Sequence, residues 1–212
     1  MPSAFIFDAY GTLFDVHSVQ QCCEGFWPGK GLQLSQHWRA KQLEYTWQRS
    51  LMRRYAPFSQ VTREALAYAC EALGLALDAS RNDALMAQYL RLELFADVRE
   101  SLAQRKGHKL AILTNGSPDM IDPLVAQSGL FFDAVLSVDA LRVYKPSPEV
   151  YQLAVDRLGV PASQVGFVSS NCWDALGAKS FGFEVNWINR TGAPVDRLGF
   201  KPDRILKGLF EL

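Results

Sequence analysis

The chain predicts an α/β fold, a doubly wound parallel sheet (Rossmann-like) with a block of helices inserted after its first strand. Three observations carry that reading. Short apolar runs of strand length alternate with segments of helical periodicity over most of the 212 residues. The alternation is suspended once, from about 15 to 95, where helical patterns follow one another with no strand between them. The apolar runs also end on polar residues, and the carboxyl ends of strands are where open α/β sheets hold their ligands. On this reading 1–14 and 96–212 form the α/β core domain, and 15–95 form a helical cap subdomain.

Along the chain, "AFIF" (4–7) is the first strand and stops at Asp8. Three helical patterns follow. In "LSQHWRAKQLEYTWQRSLMRRY" the residues Leu43, Trp47 and Leu51 recur every fourth position. "TREALAYACEALGL" spaces Leu66, Ala69, Cys70 and Leu73 along one face, and "DASRNDALMAQYLRL" does so with Leu85, Met86, Tyr89 and Leu90. The core then resumes with strands at "LAIL" (110–113), "AVLSV" (134–138), "VGFVS" (165–169) and "EVNWI" (184–188). Helices are expected at about 97–105, 118–128, 148–158 and 172–180. Two helix starts share one grammar: Ser117, Pro118, Asp119 in "TNGSPDM" and Ser147, Pro148, Glu149 in "YKPSPEVY", each an N-cap, a first helical proline and a first-turn acid. Free backbone N–H groups at such starts favour an anion nearby.

Composition narrows the function classes. The 22 Lys and Arg balance 22 Asp and Glu, so no net field draws the chain to nucleic acid or anionic lipid. No apolar stretch has the length to cross a bilayer, and the N-terminus lacks a signal-peptide pattern. Cys22, Cys23, Cys70 and Cys172 make no C-x-x-C pair, and His17, His37 and His108 are scattered, which argues against zinc. A chain this long buries a core without disulfides, and a reducing cytoplasmic location is expected.

Chemistry gathers at the strand ends. Asp8 follows the first strand, Thr114 and Asn115 the second, Lys145 lies beyond the third, and Ser169, Ser170, Asn171 and Asp174 follow the fourth. One strand-end Asp alone is more often a turn cap, but four matched strand ends make a site. Lys145 precedes Pro146, which holds it out of helical geometry and lets it reach inward; alone it would read as a solvated loop lysine. Asp174 is a first-turn acid serving the helix dipole, a site carboxylate, or both. Arg39 heads the Leu43–Trp47 stripe, as a snorkelling surface arginine also would.

The segments "DAYGTLFDVHSV", "LTNGSPD", "VYKPSPEVY" and "FVSSNCWDALGAKSFGF" resemble, in order and separation, the four motifs of the haloacid dehalogenase superfamily. "WRAKQLEYTWQRSLM" and "WINRTG" are similar to the L-2-haloacid dehalogenases within it, and the likeness covers nearly the whole chain. The resemblance implies that Asp8 is a nucleophile whose rotamer Thr12 fixes and whose charge Lys145 maintains. It makes Asp174, with Asn171, the group that orients or activates the hydrolytic water. Arg39 and Asn115 become the acceptors of a departing halide, a task suited to a permanently charged donor. Thr114, where the family usually has Ser, and Ser169 would receive the substrate carboxylate. Tyr10, Leu43, Phe58 and Trp173 would line the pocket, and Tyr151 would join this substrate-facing set by buttressing Asp8 or Lys145. Each aromatic taken singly is explained as well by core packing.

Position 10 selects the reaction. Phosphatases of the superfamily typically carry a second Asp two residues after the nucleophile to protonate an alkoxide, and bind Mg²⁺ with carboxylates. Here Tyr10, with a reference pKa near ~10, stands in that place, and the fourth motif offers the single acid Asp174. Halide leaves as a stable anion and needs no proton. The expected reaction is hydrolytic dehalogenation of short L-2-haloalkanoic acids to D-2-hydroxyalkanoic acids and halide, through an aspartyl ester with inversion at C2. The L preference and a homodimer, using the long helix at about 36–55, are implied by the resemblance. No cofactor, metal, nucleic acid or membrane is expected. A Mg²⁺-dependent small-molecule phosphatase is the alternative, and a catalytically idle interaction module is a third.

Overall fold

In the computed structural model, which describes residues 2–212, the sheet is built from β1 (Ala4–Phe7), β2 (Lys109–Thr114), β3 (Ala134–Ser137), β4 (Val165–Ser169), β5 (Glu184–Ile188) and β6 (Arg204–Leu206). All pairings are parallel, in the order β3-β2-β1-β4-β5-β6. Five helices lie between β1 and β2: α1 (His17–Phe26), α2 (Gly31–Leu51), α3 (Phe58–Ala72) and α4 (Ala79–Gln88) form the inserted block, and α5 (Val98–Ala103) leads back to the sheet. The remaining helices, α6 (Pro118–Ser128), α7 (Pro148–Leu158) and α8 (Cys172–Phe181), alternate with the later strands.

The central strands are apolar throughout because both faces are covered: every residue of β4 is buried, as are three of the four in β1. Phe7 is level with Ile112 of β2 and with Val168 of β4. Asp8 therefore leaves the sheet between two neighbouring strand ends, where the order reverses and opens a crevice. A tight turn follows, with the N–H groups of Thr12, Leu13 and Phe14 all directed at the Ala9 carbonyl. Gly11 makes it possible, at φ 84°, a left-handed geometry that a Cβ would strain.

The structure departs from the sequence reading in three elements. β6 adds a sixth strand, only three residues long and too short to show a pattern. α1 was not anticipated, since only Val19 and Cys23 of its ten residues are buried. In α2 the buried stripe is Leu34, Trp38, Gln42 and Thr46, not the expected Leu43–Trp47–Leu51, and Leu51 is 85% exposed. The reason is that two of the inward positions are polar and satisfied. Gln42 donates to the Thr62 hydroxyl and Thr46 donates to the Leu43 carbonyl, while Trp38 Nε1 locks α2 onto α3 through the Thr62 carbonyl at 2.8 Å.

Ser117 and Ser147 do take N-cap positions, each followed by the first-turn proline, but neither hydroxyl closes its helix. Ser117 Oγ instead accepts from the Ser59 N–H at 3.2 Å, tying the start of α6 to α3, and Ser147 Oγ donates to Glu149 at 2.6 Å. Further ties join the helical block to the loops beyond the strands: Tyr144 donates to the Ala56 carbonyl and Tyr55 to Asp139, each at 2.6 Å.

Candidate active site

Asp8 is 6% exposed and both carboxylate oxygens are occupied. Oδ1 accepts from Lys145 Nζ at 3.1 Å. Oδ2 accepts from Asn171 Nδ2 at 2.8 Å and from the Thr12 hydroxyl at 3.1 Å, with Ser169 Oγ at 3.5 Å. Thr12 Oγ in turn accepts from the Ser170 N–H at 2.8 Å, so the turn after β1 is pinned to the loop after β4. Four of the predicted residues thus converge on one carboxylate from sequence positions up to 163 apart. Donors around an ionised carboxylate favour its charged form and hold one rotamer.

Lys145 is joined to Pro146 by a cis bond and points inward with 1% exposure. Its ammonium lies between Asp8 and Asp174, 2.8 Å from Asp174 Oδ2. Burial opposes the ammonium charge, but Asp174 and Asp8 together outweigh it, and the Lys145 pKa is raised. For Asp174 burial dominates: it pushes the carboxyl up to about 6, against the pull of Lys145 and with the help of Asp8. Two acidic side chains thus flank one buried ammonium. A divalent ion bridging Asp8 and Asp174 would have to displace that ammonium, and no cluster of three His, Cys, Asp or Glu groups suited to a metal occurs among the described residues. The donor set does not fit Mg²⁺.

Tyr10 is buried, and its hydroxyl has no hydrogen-bond partner among the described residues. Burial, reinforced by Tyr89, holds the phenol far above its ordinary range although the Arg39 charge acts in the other direction. It is therefore a weaker acid than an exposed phenol. Its ring packs against Phe58 at 6.0 Å and Tyr89 at 6.2 Å, forming an aromatic wall beside the nucleophile. Arg39, half-buried, donates to Gln42 Oε1 at 2.7 Å and reaches Asn171 Oδ1 at 3.5 Å. Asn115 Oδ1 accepts the Lys145 backbone N–H at 3.0 Å, and its NH₂ makes no hydrogen bond among the described residues.

Several predicted residues sit differently from expectation. Tyr151 is fully buried and donates to Asp174 Oδ1 at 2.9 Å, with no hydrogen bond to Asp8 or Lys145 among the described residues. Its height along α7 places the hydroxyl under α8, which spacing alone does not reveal. Ser169 is drawn to Asp8 and also accepts the Asn171 N–H at 3.1 Å. Thr114 accepts the Gly116 N–H at 3.0 Å, leaving its own proton for another acceptor. Trp173 packs edge-on to Trp47 at 5.5 Å, and both rings line a cleft of about 710 Å³ with Lys145 and Tyr144. Leu43, half-buried, does not belong to that lining. Gln42 was not among the expected site residues, and Ser170, named at its strand end, had been given no role. A polar residue in register with Leu34 and Trp38, three positions after Arg39, was the signal for Gln42.

A family model described as haloacid dehalogenase-like hydrolase matches residues 2–182. Over 201 residues the chain is 54% identical to an (S)-2-haloacid dehalogenase of Pseudomonas sp. (strain YL), spanning 93% of this chain and 87% of that one. The crystal structure of the L-2-haloacid dehalogenase RSc1362 superposes with a TM-score of 0.97 at 45% identity, over 99% of this chain and 96% of that one. The L-2-haloacid dehalogenase of Xanthobacter autotrophicus, solved with chloropropionic acid covalently bound, gives 0.91 at 45% identity over the same shares. Joined to Asp8, Lys145 and Asp174 gathered at the switch point of the sheet, these matches establish that the chain belongs to the haloacid dehalogenase-like hydrolases.

Proposed function

We propose that the protein hydrolyses the carbon–halogen bond of short L-2-haloalkanoic acids, releasing halide and D-2-hydroxyalkanoic acids through an ester on Asp8. The observation that carries this reading is a carboxylate held against the Lys145 ammonium at 3.1 Å, with a buried phenol, a weaker acid than a carboxylic acid, two residues away. Such a site forms a bond to carbon but has no acid for an alkoxide, so a phosphatase is not favoured. The relatives' names and the chloropropionic acid adduct of the Xanthobacter autotrophicus enzyme support the same reading.

The Asp8 carboxylate attacks C2 opposite the halogen. The carbon–halogen electron pair leaves with the halide, which Arg39 and the Asn115 NH₂ receive. Thr114, Ser169 and the open N–H groups at the start of α6 suit the substrate carboxylate. The packed rings of Tyr10 and Phe58 keep water from the reacting centre. Asp174 then takes a proton from water, and hydroxide adds to the acyl carbon of the ester. Collapse breaks the bond between that carbon and the substrate oxygen, and the proton on Asp174 passes to the product. Asp8 releases its own proton to solvent and is restored. C2 is inverted once. The segment 15–95 serves as a cap that brings Arg39 over the nucleophile, consistent with the ties from α3 to the strand-end loops. A homodimer would cover the exposed end of α2, where Leu51 and Met52 are 85% and 60% exposed. Four cysteines that all remain thiols suit a cytoplasmic location.

A single turnover in ¹⁸O-labelled water tests the ester, with label expected in Asp8 first and in hydroxyacid only after further turnovers. Label entering the product directly would overturn it. Halide release from L-2-chloropropionate in the presence of EDTA, with none from the D isomer, is the companion result. Phosphate-ester turnover requiring Mg²⁺ would return the phosphatase.

A further inference from the structure

The buried amide of Gln42 determines where the Arg39 guanidinium points. Gln42 is 0% exposed on α2, where an apolar side chain would pack at less cost. Its hydrogen bonds run in one direction only. The Thr62 hydroxyl donates to the Phe58 carbonyl at 2.7 Å, one turn back along α3, so its proton is committed. Thr62 Oγ is then an acceptor and takes Gln42 Nε2 at 2.7 Å. The amide oxygen must consequently face the other way, and there it accepts Arg39 Nη1 at 2.7 Å. A flipped amide would set donor against donor at Arg39 and acceptor against acceptor at Thr62. The second contact of the guanidinium, to Asn171 at 3.5 Å, is long, so Gln42 is its close partner.

The partner's neutrality matters as much as its position. Arg39 forms no salt bridge among the described residues. A carboxylate in the same place would hold the guanidinium equally well but cancel its charge, and an arginine so paired has little left for a departing anion. An amide orients without neutralising.

We propose that Gln42, oriented by Thr62, is a positioning residue that presents an unneutralised Arg39 to the leaving halide, and so governs carbon–halogen cleavage and not ester hydrolysis. This rests on the reading of Arg39 as halide acceptor.

The test compares Gln42→Met, Gln42→Glu, Thr62→Val and Thr62→Ser with Arg39→Lys. Each is assayed on L-2-chloro- and L-2-bromopropionate, with single-turnover rates for ester formation and breakdown and with inhibition by added bromide. In Gln42→Met, ester formation is expected to slow about 10–100-fold, the scale of a misplaced reacting group, with ester breakdown unchanged. The slowing should be greater for chloride than for bromide, since the poorer leaving group relies more on the acceptor. Bromide inhibition should weaken, most of all in Gln42→Glu. Thr62→Val should show the same signature in milder form, and Thr62→Ser, which keeps the hydroxyl, should restore the parent behaviour. A merely structural role would slow both steps and both halides alike, and that result overturns the proposal. If Gln42→Met does not fold, the Thr62 pair decides, and equal behaviour of Val and Ser there rejects it. Should Arg39→Lys alter halide preference while the Gln42 and Thr62 variants do not, the positioning role alone fails. An Arg39→Lys enzyme with parent halide preference and bromide inhibition removes the underlying reading as well.

Discussion

The hydrogen bond from Tyr151 to Asp174 is one of the contacts that set the charge of the site. Burial raises the Asp174 carboxyl, the Lys145 ammonium opposes it, Asp8 adds to the rise and the Tyr151 phenol, by donating to the ionised form, lowers it; the balance is about 6. If Asp174 takes the proton from water, only its ionised form is active, so ester hydrolysis should fall as pH drops through about 6. Tyr151→Phe removes a donor that lowers the Asp174 pKa, and the acid limb should then move upward, by roughly half to one pH unit. A pH–rate profile of ester breakdown measures this; an unmoved limb would assign it to another group. Asp8, Lys145 and Asp174 were all legible from residue type and position at strand ends. That Tyr151 would serve Asp174 was not, because the choice depends on how α7 and α8 meet.

At the scale of elements, α8 docks on the segment carrying Lys145 with no space to spare. A Cβ on Gly177 would lie 2.6 Å from Pro146 Cβ and 2.6 Å from Tyr151 Oη. Helix propensity favours Ala over Gly there by about 1 kcal/mol, but overpacking a close contact costs roughly 1–3 kcal/mol and usually wins. Gly177→Ala should lower Tm by a few degrees, at about 2–4 °C per kcal/mol for a chain of this size, and reduce turnover by displacing Pro146 with Lys145. Thermal melts and steady-state kinetics check both halves. The helix boundaries were readable from periodicity for α6, α7 and α8. The inward face of α2 was not, since Gln42 and Thr46 are buried only because α3 and the α2 backbone supply their partners.

For the whole molecule, the helices between β1 and β2 leave apolar surface uncovered at the end of α2 and on α3, where Tyr68 is 45% exposed beside Lys41. Sedimentation should give twice the mass of one chain, and Leu51→Glu should shift it to a monomer that still folds, a charge on an apolar contact being costly to bury. A parent enzyme already monomeric at assay concentrations would remove the dimer. Arg39 and Asn171 meet across 132 positions of sequence, so the site is complete only when the helical block lies against the sheet.

The amino-acid sequence by itself determined the alternation of strand and helix, the break in it, the polar residues at four strand ends and the phenol where an acid might stand. These follow from backbone periodicity and from where a parallel sheet ends, which are local properties of the chain. Tertiary structure alone decided partners: Tyr151 with Asp174, Ser117 with Ser59, Gln42 between Arg39 and Thr62. A buried polar group is satisfied by whatever atom packing brings within about 3 Å, and that atom can lie anywhere in the sequence.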